Sequence, residues 1–276
     1  MKLKKEQFLG TNFSFTSHEF DYFIEAMKEL DVHNIEFYAA SPHLYLYDVT
    51  PMRAYEIQRK LKKANIAVEV FTAEQCMYPI SISINDELVR QRSLDYYVKA
   101  LNCASVLESP NMQIVTGPGY LSDNHEDDFN RAVEGMYQIV KYAEKLGITI
   151  YLENDPNTSV RNSVDTKKMI EIIGSKNLKG LIDTNGIATS GEDFRFAVEN
   201  LGDDLKHLHF IDYIKEPEQY CLIPGTGELP LEEYLNILVE KKYKGTLTPE
   251  LWGSNYLNDP KDAMRKSLQY CWDHAE

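Results

Sequence analysis

Short apolar runs alternate with longer polar and apolar stretches along the whole chain. Eight runs have the length and the branched or aromatic side chains typical of β-strands. They are Phe8–Phe15, Asn34–Tyr38, Ile66–Phe71, Met112–Val115, Ile148–Leu152, Gly180–Ile182, Leu205–Ile211 and Gly245–Pro249. Helices are predicted between and after them, at Glu19–Leu30, Met52–Ala64, Asp86–Leu101, Asp127–Leu146, Val164–Ile173, Asp193–Asn200, Leu231–Lys242 and Pro260–His274. Alternation of this kind favours parallel strands with crossover helices, and eight units predict an α/β fold, a single (β/α)8 TIM barrel.

Signals at several helix ends agree with these boundaries. Ser17 and Asp259 precede predicted helices and carry side chains suited to N-terminal capping. Gly147 follows the long fourth helix, where a glycine C-cap is expected.

Length and composition agree with one barrel. The chain has 276 residues, 43% of them apolar, and a typical barrel has roughly 250 residues. Because neither an internal repeat nor an interdomain linker is visible, we expect one domain over residues 1–276.

The net charge and the cysteine content limit which binding partners and which cellular compartment are expected. The formal net charge of −14 disfavours binding to nucleic acid. No signal peptide or membrane span is visible, so no membrane partner is expected. The four cysteines are scattered, which indicates a reducing, cytoplasmic location; they are Cys76, Cys103, Cys221 and Cys271.

Four consecutive late strands are each followed by, or end in, an acid or imidazole side chain. These are Glu153, Asp183, His209 and Glu250. Any one of them alone would be a helix cap or a solvated carboxylate. Because the C-terminal ends of barrel strands converge on one mouth, their recurrence predicts one metal site there. Oxygen and nitrogen donors without sulfur suit a single divalent ion: Mn, Co, Mg or Zn.

The stretch Ile223-Pro224-Gly225-Thr226-Gly227 leaves two interpretations open. It lacks the continuation of a phosphate-binding loop. It is either a tight loop that needs glycine torsions or a segment that lines a substrate at the barrel mouth.

The segments that carry the four candidate ligands resemble, in order, those of the xylose isomerase-like barrel superfamily of sugar isomerases and epimerases. They are Leu152-Glu153-Asn154, Ile182-Asp183-Thr184, the run from His207 to Asp212, and Thr248-Pro249-Glu250-Leu251. The resemblance covers essentially the whole chain and implies that all four residues bind the metal. Shorter motifs resemble members that epimerise ketosamines such as fructoselysine at C3; they are Ser41-Pro42-His43, Tyr78-Pro79, Arg92 to Asp95, Gly119-Tyr120-Leu121 and Ile223 to Gly227.

Two positions depart from the tagatose and psicose 3-epimerase type. That type usually has a His three positions after the metal-binding Asp, where this chain has Gly186. It also has a second Glu soon after the first metal ligand, where this chain has Asn157-Thr158-Ser159. Both departures argue against a simple free-ketohexose enzyme.

The resemblance implies a C3 epimerisation through a metal-stabilised enediolate. Glu153 and Glu250 are then the two acid/base catalysts, and Asp183 and His209 act mainly as ligands. Four further residues are candidates for substrate binding: His43, Glu74, Lys215 and Trp252. Lys215 matches a position where the tagatose type has an Arg that contacts substrate oxygens. His207 is expected to be structural, and Asp212 either functional or a loop anchor.

Other functions remain open at this point. Aldose–ketose isomerisation or inosose dehydration could reuse the same metal and bases. An abasic-site endonuclease of the same superfamily needs additional histidine ligands that this chain lacks, and a non-catalytic sugar-binding protein conflicts with the complete ligand set. We expect a small-molecule sugar as the substrate, and a homo-oligomer is compatible with the resemblance.

Overall fold

Eight parallel strands form the central sheet of the protein. The computed structural model describes residues 2–75 and 80–275, so Cys76 and the Tyr78-Pro79 motif lie outside the described residues. The strands are β1 (Gly10–Thr11), β2 (Asn34–Ala39), β3 (Ala67–Ala73), β4 (Asn111–Ile114), β5 (Thr149–Glu153), β6 (Leu178–Asp183), β7 (Leu205–His209) and β10 (Thr246–Thr248). They pair in the order β1-β2-β3-β4-β5-β6-β7-β10.

The first and last strands meet, which closes the sheet. The Leu9 backbone N–H donates to the Leu247 carbonyl at 2.8 Å, and Phe8 forms a parallel bridge with Leu247. The predicted (β/α)8 barrel is therefore confirmed.

Helices cover the outside of the barrel, and the eight predicted helices are all present with small shifts at their ends. The helices are α1 (Phe20–Glu29), α2 (Pro51–Lys63), α3 (Glu87–Val106), α4 (His125–Leu146), α5 (Ser163–Ile173), α6 (Thr184–Ser190), α7 (Phe194–Leu201), α8 (Leu231–Glu240) and α9 (Pro260–Asp273). The short α6 was not predicted. In the described part of the chain, no helix has both the length and the apolar character needed to cross a membrane.

The capping predictions are right at two positions and wrong at one. The Asp259 side chain accepts the Asp262 backbone N–H at 3.2 Å, which caps α9. Gly147 ends α4 in the left-handed conformation with a φ of 71°. Ser17 does not cap α1, because that helix begins at Phe20 and its N-cap is Glu19.

The barrel interior holds a small apolar layer beneath the mouth. Leu9, Val70, Tyr151 and Leu181 form this cluster, and all four are buried. Because side chains alternate along a strand, Tyr151 and Leu181 share a face with Glu153 and Asp183, two residues further on. The layer separates the polar mouth from the opposite end of the barrel.

A two-stranded hairpin follows β7 at the mouth and was not predicted. Its strands are β8 (Asp212–Ile214) and β9 (Gln219–Leu222), and residues 223–229 continue from it as a loop. The buried Asp212 carboxylate accepts four backbone N–H groups at 2.8–3.0 Å, from Tyr213, Gly225, Gly227 and Leu229. A Cβ at Gly227 would collide with this carboxylate. The glycines therefore serve a tight loop anchored on Asp212, which supports the first interpretation of that stretch.

We predict that Asp212→Ala lowers the free energy of unfolding by about 2–4 kcal/mol, because the loop N–H groups lose a charged acceptor. Urea denaturation followed by circular dichroism measures the change. The exposed Asp203→Ala is the matched control and should stay within about 0.5 kcal/mol of wild type. Equal stability of both variants would contradict the anchoring role.

Candidate metal centre

The four predicted ligands meet at the barrel mouth. Glu153, Asp183 and His209 end β5, β6 and β7, and Glu250 lies two residues after β10. One donor atom from each lies within 4.8 Å of the others. His209 Nδ1 is 3.0 Å from Glu153 Oε1 and 3.1 Å from Glu250 Oε2.

Asp183 has two functions in the chain. Its carboxylate accepts the Asn185 backbone N–H at 2.6 Å and is the N-cap of α6. Capping and ligation are therefore compatible here, since a carboxylate has two oxygens. The bond fixes the carboxylate at the end of its strand.

Glu153 is held by an amide chain that sequence reasoning missed. The Gln113 amide on β4 donates to Glu153 Oε2, and the Gln75 amide donates to Gln113 Oε1. Gln75 in turn accepts the Tyr97 hydroxyl at 2.8 Å. This chain orients one carboxylate oxygen away from the cluster and leaves Oε1 beside His209.

His209 also has a second contact that sequence reasoning missed. Its Nε2 lies 3.1 Å from Oε1 of Glu36, a fully buried residue of β2. His207, predicted to be structural, is fully buried and contacts the other Glu36 oxygen at 3.1 Å. A glutamate in the middle of a strand has no local sequence signal that marks it for this role.

Burial and like charges shift the pKa values of the cluster. Burial, together with the Glu153 and Glu250 carboxylates, raises the pKa of Asp183 well above its usual value. Burial likewise raises the pKa of Glu250 to about 7, although His209 opposes the shift. Burial lowers the pKa of His209, but the carboxylates of Glu250, Glu153 and Glu36 outweigh it and raise that pKa well above its usual value. The cluster therefore has a strong demand for positive charge.

A cavity of about 580 Å3 lies near the cluster, although none of the four candidate ligands is among the described residues that line it. Phe13 lies between the two, with its ring 6.3 Å from the His209 ring and stacked on Tyr38 at 4.3 Å. Tyr38 donates its hydroxyl to Glu74, and the Trp252 indole N–H donates to the Tyr38 hydroxyl at 3.3 Å. Tyr38, Glu74 and Trp252 all line the cavity. The structure thus brings two of the predicted substrate-binding residues together.

The other two predicted substrate-binding residues lie elsewhere. His43 is buried and has both ring nitrogens in hydrogen bonds, one with the Asn12 amide and one with the His18 carbonyl, each at 2.9 Å. Burial lowers the pKa of His43. Lys215 is exposed in the turn between β8 and β9, and its backbone N–H donates to Glu228. Neither residue is among the described residues that line the cavity, so their contact with substrate stays a prediction.

Curated proteins match most of this chain. Fructoselysine 3-epimerase of Escherichia coli O157:H7 is 27% identical over 246 residues, which cover 88% of each protein. Inosose dehydratase of Bacillus thuringiensis (strain Al Hakam) is 24% identical over 166 residues, which cover 54% of this chain and 56% of the dehydratase.

Solved structures share the fold along nearly the full length. D-psicose 3-epimerase with D-tagatose from Clostridium cellulolyticum H10 has a TM-score of 0.76 at 17% identity and covers 97% of both chains. A D-tagatose 3-epimerase-like protein has a TM-score of 0.81 at 21% identity, covering 97% of this chain and 96% of that one. Residues 24–273 match the family described as Xylose isomerase-like TIM barrel. The predicted family is therefore confirmed, and the chain belongs to the xylose isomerase-like TIM barrel family.

Proposed function

We propose that this protein is a divalent-metal-dependent epimerase that inverts C3 of a ketose or ketosamine. One observation carries the proposal: three carboxylates and one imidazole converge at the mouth of the barrel. Fructoselysine 3-epimerase and D-psicose 3-epimerase, which match 88% and 97% of this chain, are carbohydrate epimerases, and this confirms the prediction of an isomerase-class enzyme. Metal dependence, the carbon that is inverted and the substrate are our inference.

The donor set fits a divalent cation. Glu153, Asp183, His209 and Glu250 offer only oxygen and nitrogen, and their combined charge favours a cation over a neutral ligand. Mn, Co, Mg and Zn all accept such donors. When bound, the cation would supply Lewis-acid stabilisation of negative charge on the substrate oxygens.

Two carboxylates are available for the proton transfer. Epimerisation at C3 requires removal of the C3 proton, which gives an enediolate, and delivery of a proton to the opposite face. Glu153 and Glu250 come from β5 and from the segment after β10, with β6 and β7 between them in the sheet. They therefore approach a bound substrate from different sides, and we assign them the two acid/base roles. The Gln113 amide keeps the Glu153 carboxylate in place.

The nearby cavity supports a substrate larger than a free hexose. It is lined by the stacked rings of Phe13 and Tyr38 and by Glu74 and Trp252, and Phe13 also lies beside His209 of the cluster. Glu74 offers a carboxylate for a cationic amine, and Trp252, 36% exposed, offers an apolar surface for a sugar face or an alkyl chain. We therefore propose a ketosamine of the fructoselysine or psicoselysine type, with Glu74 and Trp252 as contacts.

We predict that the metal-loaded enzyme in D₂O incorporates deuterium at C3 of fructoselysine and forms its C3 epimer, because C3 is the carbon that is deprotonated. Proton NMR follows the exchange. Glu153→Gln and Glu250→Gln should each lower the rate by about 10²–10⁴-fold, while the exposed Glu171→Gln should match wild type. Exchange at C1, or loss of water, would favour an isomerase or a dehydratase instead.

We predict that chelator-treated protein loses thermal stability as the pH rises from about 5 to about 8. The folded state raises the pKa of Asp183 and of Glu250, the latter to about 7. It therefore binds protons more tightly than the unfolded state, and this stability is lost as the pH rises through the folded pKa values. His209, whose pKa is also raised, acts in the same direction. Added Mn²⁺ replaces the protons, so its increase in Tm should be larger at the higher pH.

Scanning calorimetry at both pH values, with and without Mn²⁺, measures this effect. Glu250→Gln is the control variant, since it removes one of the titrating groups and should flatten the pH dependence of the metal-free protein. An increase in Tm that is the same at both pH values would contradict the prediction.

We predict that Glu74→Gln raises KM for fructoselysine by about 10- to 100-fold, as expected for loss of a charge-assisted hydrogen bond. KM for psicose, which has no amine, should change much less. The exposed Glu171→Gln is the matched control, because it makes the same chemical change away from the cavity and should leave KM for both substrates unchanged. Equal effects of Glu74→Gln on the two sugars would exclude amine recognition by Glu74.

A further inference from the structure

A buried polar network lies directly beneath the candidate metal centre. It joins Glu36 on β2 and Thr72 on β3 to His207 and His209 on β7 and to Thr246 on β10. Glu36, His207 and His209 have no exposed surface, and Thr72 is also buried. The mechanism proposed above uses only His209 from this group.

Three donors converge on the Glu36 carboxylate. Its Oε1 accepts the Thr72 hydroxyl at 2.5 Å and lies 3.1 Å from His209 Nε2. Its Oε2 lies 3.1 Å from His207 Nε2. Because an ionised carboxylate only accepts hydrogen bonds, both histidines must carry a proton on Nε2.

The network also assigns the other nitrogen of each ring. His207 Nδ1 lies 2.7 Å from the Thr246 hydroxyl, which can donate to it. His207 then presents its Nε2–H to Glu36. His209 Nδ1, in contrast, points to Glu153 and Glu250, which are carboxylates that would share a cation. With its proton fixed on Nε2, His209 has a lone pair on Nδ1 for that cation.

Among the described residues, Glu36, His207 and His209 also satisfy the distance requirement for a second metal site. Direct hydrogen bonds already join these three groups, and His209 has only one other nitrogen, which faces the first site. A carboxylate bonded to the second nitrogen of a ligating histidine is the usual arrangement around protein metals. We therefore favour hydrogen bonding over a second cation.

We infer that Glu36 is a positioning residue, which holds His209 in the Nε2–H tautomer and aims Nδ1 at the metal, and that His207 and Thr72 in turn orient Glu36. This inference rests on the proposed metal site. It assigns to β2 and β3 a direct part in metal affinity, although neither strand supplies a ligand.

The test compares metal binding in wild type and Glu36→Gln. A glutamine is uncharged and has one accepting oxygen, so it cannot accept from both histidines, and the hydrogen bond from His209 is either lost or no longer assisted by a charge. We expect affinity for Co²⁺, measured by competition with a chromophoric chelator, to fall about 10- to 100-fold. The visible spectrum of bound Co²⁺ should also change, because the His209 ring is no longer held.

Nitrogen-15 NMR of the histidine rings gives a readout that loss of stability alone would not move. In Zn²⁺-loaded wild type we expect His209 to carry its proton on Nε2 and the metal on Nδ1, with His209→Asn used to assign the signals. Metal on Nε2 would overturn the inference.

Asp212→Asn makes the same chemical change at another buried carboxylate, so it should lower stability but keep wild-type Co²⁺ affinity. If Glu36→Gln does not fold, Co²⁺ affinity is measured on Thr72→Val instead, because this variant removes one hydrogen-bond donor to Glu36 without a change in charge. We expect a smaller loss of affinity in the same direction.

The inference would be refuted, and the proposed function left intact, if Glu36→Gln bound Co²⁺ with the affinity and spectrum of wild type. The same holds for Thr72→Val if Glu36→Gln does not fold. Two Co²⁺ ions per wild-type chain would refute it in favour of a second metal site. Failure of wild type to bind any divalent cation would refute the proposed function together with this inference.

Discussion

The repulsion between closely spaced carboxylates is the constraint on which the rest of this site depends. Glu153, Asp183 and Glu250 each place a carboxylate oxygen within 4.8 Å of the others at the barrel mouth. In a poorly hydrated site such charges need a compensating positive charge, from protons or from a metal. Bound protons can supply this positive charge, which is why the pKa values of Asp183, Glu250 and His209 are raised. This need for positive charge supports the proposed divalent cation.

The barrel supports this charge cluster with polar contacts from strands that supply no ligand. Gln113 on β4 holds Glu153 from one side. Glu36 on β2 contacts His209 from below, and Thr72 on β3 contacts Glu36. Although burial raises the pKa of Glu36, His209 and His207 outweigh it and keep that pKa well below its usual value. Early and late strands therefore depend on each other through the site and not only through apolar packing.

At the barrel mouth, the candidate metal ligands and the proposed substrate contacts differ in position relative to the strands. Three of the candidate metal ligands end strands and the fourth lies two residues after one, whereas the nearby cavity is formed largely by segments that follow strands, such as those that carry Glu74 and Trp252. Loops can change the substrate without disturbing the ligand geometry, which is a general property of barrel enzymes. Gly186 leaves the position of the histidine found in the tagatose type without a side chain, and a Cβ there would lie 3.7 Å from the Asn154 amide nitrogen.

The sequence by itself determined the barrel and the identity of the four candidate ligands. Strand and helix have distinct hydrophobic periods, and the recurrence of Glu153, Asp183, His209 and Glu250 after successive strands is visible along the chain. The tertiary structure decided the rest. Glu36 and Gln113 are brought to the ligands by strands far away in sequence, and Asp212 finds its partners 13 to 17 residues later. Periodicity records which face of an element is buried, but contacts between distant side chains exist only once the barrel has closed, so no local pattern can reveal them.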